Sequence, residues 1–399
     1  MKKILHLGGS TQQIPAIVYA NEQGYYTVLC DFLPDNPGQN FANKFHCVST
    51  TDKEAILEIA IEEQVEGVVA YASDPAAPTA AYVAEKMGLS TNPLNSINTL
   101  AYKDEFREFL SANDFNCPKA KSYSSIEEAI SEIESFTFPI MVKPTDSSGS
   151  KGVSKVEDFE QFEAAFNTAK DNSRGKKIII EEYIVQDHEY MVGGDCFVLN
   201  GEVAYWGLLN CHRDVSANPL VPVGKSYPLK ISDSRLVKIK REIQKVIDIL
   251  NIKSGGFNLE VMVTKDDSVF IVEMGPRNGG NMIPDFLKMI HKIDLIGATV
   301  ETAINNKDLS LAYEPNDGYY ATHNIHSIKD GVFRGIEYKR NLKKNIIKQV
   351  IYKKDGDFVQ YFDSANKAIG ILFLKFETEE DLTNFVSNPE KWIEVRVEE

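Results

Sequence analysis

Two glutamates, Glu260 and Glu273, carry the strongest chemical signal in this chain. Each stands in a strand-like run, Phe257-Asn258-Leu259-Glu260-Val261-Met262-Val263 and Val269-Phe270-Ile271-Val272-Glu273-Met274-Gly275, with the turn 264–268 between them. In the first run Phe257, Leu259, Val261 and Val263 alternate with Asn258, Glu260 and Met262. A two-residue period therefore puts Glu260 on the face opposite the core. An antiparallel hairpin brings the two carboxylates side by side. In a mostly apolar setting they repel each other and lose hydration, at a cost of several kcal/mol unless a cation compensates. A hard divalent ion shared with substrate phosphates suits that role, Mg2+ first and Mn2+ as the alternative. Arg277 and the glycine-rich turn Gly279-Gly280-Asn281 follow at once and offer a place for an anionic substrate.

Upstream, Phe138-Pro139-Ile140-Met141-Val142-Lys143-Pro144 sets a lysine at the end of an apolar strand. A run of small residues follows, with Ser147, Ser148, Gly149, Ser150 and Gly152. Backbone N–H groups in such a loop cradle phosphate oxygens, and a lysine adds a point charge. The pattern GxxxxGK[ST] is absent, so this is not a P-loop. The strand Ile178-Ile179-Ile180 runs into Glu181-Glu182-Tyr183-Ile184. Its end suits an adenine pocket, with backbone groups and a glutamate on the base edge, and Glu189 within reach of ribose hydroxyls.

The elements that must position these residues fall into three parts. From residue 1 to about 95, buried strands at Ile4–Leu7, Tyr26–Cys30 and Val68–Tyr71 alternate with helices over 12–23, 52–64 and 75–87. That is the pattern of a doubly wound parallel sheet. Gly8-Gly9 lies at its first turn, but a GxGxxG fingerprint needs glycines where Ser10 and Gln13 stand, which argues against a dinucleotide. Residues 96–113 read as one helix with Lys103 near its start. The segment from Cys117 to about Leu199 reads as strands with one helix over 157–170. Helices over 231–250, 283–290 and 294–305 flank the acidic hairpin. From Gly318 short strands, turns and a helix over 378–386 make a small α+β unit.

Bulk properties narrow the partners. The 399 residues suffice for two or three domains. With 43 basic and 58 acidic residues the net charge is −15, which argues against nucleic acid or an anionic membrane as a main partner. Five scattered cysteines form no CxxC, and they read as free thiols in a reducing, cytoplasmic setting. The apolar run after Met1-Lys2-Lys3 is too short for a signal peptide, and no stretch approaches a membrane span.

Taken in order, Lys103, Lys143-Pro144, the loop 147–152, Glu181-Glu182-Tyr183-Ile184 with Glu189, Glu260, and Glu273-x-x-Pro276-Arg277 resemble the ATP-grasp superfamily of carboxylate–amine (or carboxylate–thiol) ligases. The resemblance runs from the amino terminus to about residue 310. It implies an α/β and α+β architecture: an N-terminal doubly wound domain over 1–95 and an ATP-grasp domain of two α+β subdomains over 96–310 with a lid at about 115–190, which leaves the C-terminal α+β subdomain read from the pattern at 311–399. It also implies ATP and Mg2+. Lys103 and Lys143 resemble the lysines on the phosphates. Ser148, Gly149, Ser150 and Gly152 resemble the flap over the γ-phosphate. Glu181, Tyr183 and Ile184 resemble the adenine contacts, Glu189 the ribose contact, and Glu260 and Glu273 the metal ligands. Arg277 resembles the arginine on the acyl phosphate or substrate carboxylate. Gly275 departs from the pattern, since many members place an asparagine there as a third metal ligand.

The stretch 273–284 and the flap 148–153 are similar to the L-amino-acid ligases, which join two amino acids or an amino acid and another amine. The implied partners are a small acid and a small amine, with a homodimer as the assembly many relatives adopt. Two other readings stand beside this one: a carboxylase-like or phosphotransfer enzyme of the same superfamily, and a non-catalytic ATP sensor. His212 and Arg213 read as a loop on the surface or as substrate contacts with Gly279, Gly280 and Asn281. His188 reads as a hinge residue. His323 and His326 alternate on a late strand, with no third metal ligand at suitable spacing.

Overall fold

The computed structural model describes residues 1–306, 309, 311–314 and 316–398. Among these residues the strands form four sheets. The first is parallel. Lys3–Leu7 lies between Tyr26–Asp31 and Gly67–Val69, and Lys44–Cys47 forms an edge. Its inner strands are continuous apolar runs because helices cover both faces. Lys44–Cys47 was not expected. It is half exposed and has no apolar run to announce it.

The largest sheet has eight antiparallel strands. Its order is Val269–Gly275, Ser254–Val263, Met191–Leu199, Glu202–Asp214, Asn218–Tyr227, Tyr319–Ile325, Gly370–Phe376 and Ile346–Ile351. The helix Asp233–Ile249 buries Ile239, Ile243, Val246 and Ile247 on one face, against Leu259, Val261 and Val263. These positions sit one and two turns apart, so they form a single stripe. The helix Ile283–His291 covers part of the other face, setting Phe286, Leu287 and Ile290 against Phe197, Tyr205 and Leu209. The remainder of that second face is left for the site. The strands Tyr319–Ile325, Gly370–Phe376 and Ile346–Ile351 extend this same sheet from the C-terminal segment.

A four-stranded antiparallel sheet, ordered Ala120–Tyr123, Ile178–Glu182, Ile140–Pro144 and Ser154–Val156, forms a separate layer. The helices Ile126–Glu132 and Phe162–Asp171 contribute to its core. A small third antiparallel sheet of Phe358–Val359, Gly331–Tyr338 and Ile393–Glu398 closes the chain.

Three expectations need correction. The helix read over 96–113 is two helices, Leu94–Ala101 and Lys103–Ala112, because Tyr102 between them is extended (φ −105°, ψ 122°). Lys103 therefore opens a helix, and its N–H donates to Thr145 O at 3.0 Å, tying it to the four-stranded sheet. The segment 117–199 holds a second helix, Ile126–Glu132, a two-turn element capped by the Ser125 hydroxyl on Glu128 N at 3.2 Å. His212 and Arg213 are not in a surface loop; they end the long strand Glu202–Asp214, and His212 is buried.

Candidate active site

A cavity of about 600 Å³ opens between the four-stranded sheet and the eight-stranded sheet, within the range of small-molecule sites. Its acidic wall is the hairpin. Glu260 and Glu273 are direct register partners, and the pairing shifts immediately after Glu260. That irregularity lies at the acidic pair, where bulges commonly re-aim side chains. Phe257, Leu259, Val261 and Val263 are buried on the core face, so the alternation places Glu260 as the sequence suggests. Glu273 has its carboxyl pushed up, chiefly by burial and further by Asp74 and Glu260, while Lys103 and Arg277 oppose the shift. Arg213 Nη2 approaches Glu260 Oε2 at 3.8 Å.

The opposite wall carries Lys143, Glu181, Tyr183 and Ile184, and Glu189 also lines the cavity. Glu181 is more tightly engaged than the sequence suggests. Its carboxylate accepts from Lys143 Nζ at 2.6 Å and pairs with Arg107 Nε at 3.1 Å, with all three side chains buried. Burial resists ionisation of Glu181, but Arg107 and Lys143 outweigh it and hold the carboxyl down at about 2. Lys143 is pulled down from its ordinary value by burial first, with Arg107 and Lys103 adding to the shift against Glu181. The Glu181 side chain is therefore committed to Lys143 and Arg107.

Lys103 and the flap residues Ser148, Gly149 and Ser150 also line the cavity. Lys103 Nζ donates to Ser147 O at 2.6 Å. Gly149 and Gly152 take positive φ of +66° and +71°, which suits glycine. Ser150 donates to Leu220 O at 2.8 Å, and Ala365 N–H donates to Gly149 O at 3.3 Å. The flap is thus held by the strand Asn218–Tyr227 and by the C-terminal segment.

Arg277 is not open on all sides. Its Nε and Nη2 donate to Asp74 Oδ1 and Oδ2 at 2.7 and 2.6 Å. Asp74 lies between the strand Gly67–Val69 and the helix Ala77–Lys86, at the carboxyl end of the parallel sheet. Burial works against its ionisation, yet Arg277, Lys103 and Ser148 bring it below its ordinary value. Sequence reading missed this residue; the signal was the polar Ser73-Asp74-Pro75 turn at a strand end, where open α/β sheets bind ligands. Gly275 also lies close to this residue: a Cβ there would stand 3.1 Å from Asp74 Oδ1, tight enough that Asp74 would have to shift slightly to admit a side chain.

Gly279 N–H donates to both oxygens of buried Asp195 at 2.9 and 2.8 Å, and Asn281 N–H donates to Gln12 Oε1 at 2.6 Å. These bonds fix the turn after Arg277 and join it to the first domain. Burial lifts the Asp195 carboxyl to about 6. His212 Nε2 shares a hydrogen bond with Ser226 Oγ at 2.8 Å, and burial lowers its ring to about 3, so it lines the cavity as a neutral group. His188 accepts from Val263 N–H through Nε2 at 3.0 Å, which pins the loop after Ile184 to the acidic hairpin. His326 pairs with Asp214 at 3.0 Å, while His323 is buried and held neutral by desolvation.

The fit to a divalent ion rests on the acids. Among the described residues no group of three His, Cys, Asp or Glu side chains is arranged to hold a metal. Glu260 and Glu273 alone make an incomplete shell, which phosphate oxygens and water would complete. The acid pair, the lysines and a nucleotide-sized cleft between two sheets define a class: an enzyme that handles a nucleoside triphosphate.

Residues 136–285 match the ATP-grasp domain family. The formate-dependent phosphoribosylglycinamide formyltransferase of Syntrophotalea carbinolica is 25% identical over 289 residues, covering 69% of each chain. The carbamoyl phosphate synthase large chain of Thermotoga petrophila is 24% identical over 301 residues, but this chain spans only 27% of its length. The L-amino acid ligase of Bacillus licheniformis superposes with a TM-score of 0.81 at 17% identity, over 100% of this chain and 99% of that one. The biotin carboxylase domain of Hydrogenobacter thermophilus 2-oxoglutarate carboxylase, solved with MgADP and bicarbonate, gives 0.73 at 14% identity over 99% and 91%. Residues 136–285 thus form an ATP-grasp domain, and the chain is an ATP-dependent ligase.

Proposed function

We propose that this chain uses ATP to activate a small carboxylic acid as an acyl phosphate and then joins it to an amine. The observation that carries the reading is the facing pair Glu260 and Glu273 on one wall of a cavity whose other wall holds Lys143. In the first step a carboxylate oxygen of the acid attacks the γ-phosphorus, and the bond to the ADP oxygen breaks. In the second the amine nitrogen attacks the activated carbonyl carbon. Phosphate leaves with the C–O electron pair, and the nitrogen gives up its proton to phosphate or solvent.

Both reactants of the first step are anions and repel each other. Lys103, Lys143 and Arg277 offset that repulsion and align them. Mg2+, or Mn2+, between Glu260 and Glu273 would neutralise phosphate charge there. Ser148, Gly149, Ser150 and Gly152 close over the γ-phosphate. Tyr183, Ile184 and Glu181 frame the base, and Glu189 reaches the ribose. Arg277, held side-on by Asp74, presents its remaining N–H groups to the acid, with Gly279, Gly280, Asn281, His212 and Arg213 around the substrates. No protein nucleophile is required.

The same reading divides the work among 1–95, which supplies Asp74, 96–310 with its lid at about 115–190, and 311–399, which braces the flap. A homodimer and a cytoplasmic setting complete the proposal. The described cysteines are free, and no helix among the described residues is long and apolar enough to cross a membrane. An ADP-release screen over acid–amine pairs, with mass spectrometry of the product, tests the reaction. Acceleration by bicarbonate alone would point to the carboxylase-like chemistry instead. ATP binding without turnover on any pair would leave a sensor.

A further inference from the structure

The face of the eight-stranded sheet that carries Glu260 also carries a lysine that no motif predicts. Lys225 lies on Asn218–Tyr227, three strands from Glu260, and is only 8% exposed. Its Nζ reaches Cys211 Sγ at 2.6 Å, across the neighbouring strand. Among the described residues that thiol is the one hydrogen-bond partner of Nζ, and no carboxylate stands within ion-pair distance of it. Lys143, equally buried, shows the contrast: it has Glu181 at 2.6 Å.

A buried ammonium without an anion is strongly unfavourable. Room for its head group is kept open. A Cβ at Gly193 would lie 2.9 Å from Lys225 Nζ and 2.4 Å from Cys211 Sγ. Gly193 is the register partner of Glu260, so the ammonium extends to the row of the sheet that holds the acidic pair. Cys211 lines the cavity, and Lys225, not itself part of the lining, stands directly behind its thiol. The acid on the same strand as Gly193, Asp195, is committed to Gly279 N–H and to Asn258 Nδ2 at 2.9 Å. The protein thus supplies the cation and leaves its counter-ion to come from the cavity.

We propose that Lys225 receives a compact oxyanion of the substrate, namely the carboxylate that an amino-acid acceptor carries besides its reacting amine. This rests on the ligase reading above and narrows its amine to an anionic one. The triphosphate has its own lysines on the opposite wall, so Lys225 acts on the acceptor.

The test uses the full chain with Mg2+ and a non-hydrolysable ATP analogue. Binding of amino acids, of their decarboxylated amines and of the matching aminoalkylphosphonates is measured by calorimetry. The native chain is expected to bind at least one amino acid and not its decarboxylated amine. Binding of the phosphonate alone would reassign the anion to a phosphate. Lys225→Met is expected to weaken the amino acid by about tenfold to a hundredfold, the worth of a charge-assisted bond, while nucleotide affinity holds. Lys225→Gln serves the same purpose if the methionine variant does not fold. The inference is overturned if the amine binds as well as its amino acid, if the native chain binds no anionic probe, or if both Lys225 variants bind like the native chain. Failure of every acid–amine pair to release ADP, with Lys225-dependent anion binding intact, would sink the ligase reading and not this one.

Discussion

Glu181, buried, and Glu273, half-buried, are acids beside the same cavity, and they are treated oppositely. Glu181 sits between Lys143 and Arg107, which hold its carboxyl at about 2. Glu273 faces Glu260 and lies near Asp74, and its carboxyl is pushed up. The first arrangement is complete within the chain. The second, on the reading proposed above, is complete only when a cation arrives. A compensated buried charge contributes to architecture, whereas an uncompensated one marks where ligand charge belongs. Lys225 is the same lesson with the sign reversed.

Breaking the completed side should show in stability. Glu181→Gln leaves Arg107 and Lys143 buried without their anion and is expected to cost about 3–5 kcal/mol. Chemical denaturation measures it; a loss under 1 kcal/mol would mean the triad is not pre-paired. The pH dependence follows from the sign of the shift. The Glu181 carboxyl lies below its ordinary 4.5, so its contribution is fully present above that pH and is lost as pH falls from 4.5 through about 2. The gap between native and variant melting temperatures should therefore close over that window.

Breaking the open side should show in turnover. Glu273→Gln is expected to lower ATP-dependent turnover about 100- to 1000-fold with no loss of melting temperature, because it removes repulsion along with the metal site. Full activity in that variant would sink the metal assignment.

Asp74→Asn sharpens the comparison at an intermediate position. Arg277 keeps its place but loses its anion. We expect about a tenfold fall in kcat/KM for the acid with the KM for ATP unchanged. A change confined to ATP would mean that Asp74 serves the nucleotide. The smallest effect belongs to the flap. Ser150→Ala removes one bond to Leu220 O, and about a threefold rise in the KM for ATP is expected from one lost hydrogen bond. An unchanged KM would show the flap is held elsewhere.

Local pattern carried much of this molecule. The alternation through 257–263 is a property of one strand, so it placed Glu260 without knowledge of the rest. The parallel sheet, the helix Asp233–Ile249 and the small-residue flap were legible for the same reason: period, capping and glycine content act over a few residues. Short or half-exposed elements escaped. Lys44–Cys47 lacks an apolar run, and the break at Tyr102 has no proline or glycine to mark it.

What the sequence determined by itself was which residues are chemically able to act and which strand faces they occupy. Only the tertiary structure decided their partners. Arg277 and Asp74 are 203 positions apart, and Arg107 and Glu181 are 74 apart. Lys225 is unmatched because of what the surrounding strands of the sheet place around it. Side-chain direction follows from local backbone geometry, but the charge a side chain meets is set by segments distant in the chain. Those meet only after the sheets have closed on one another.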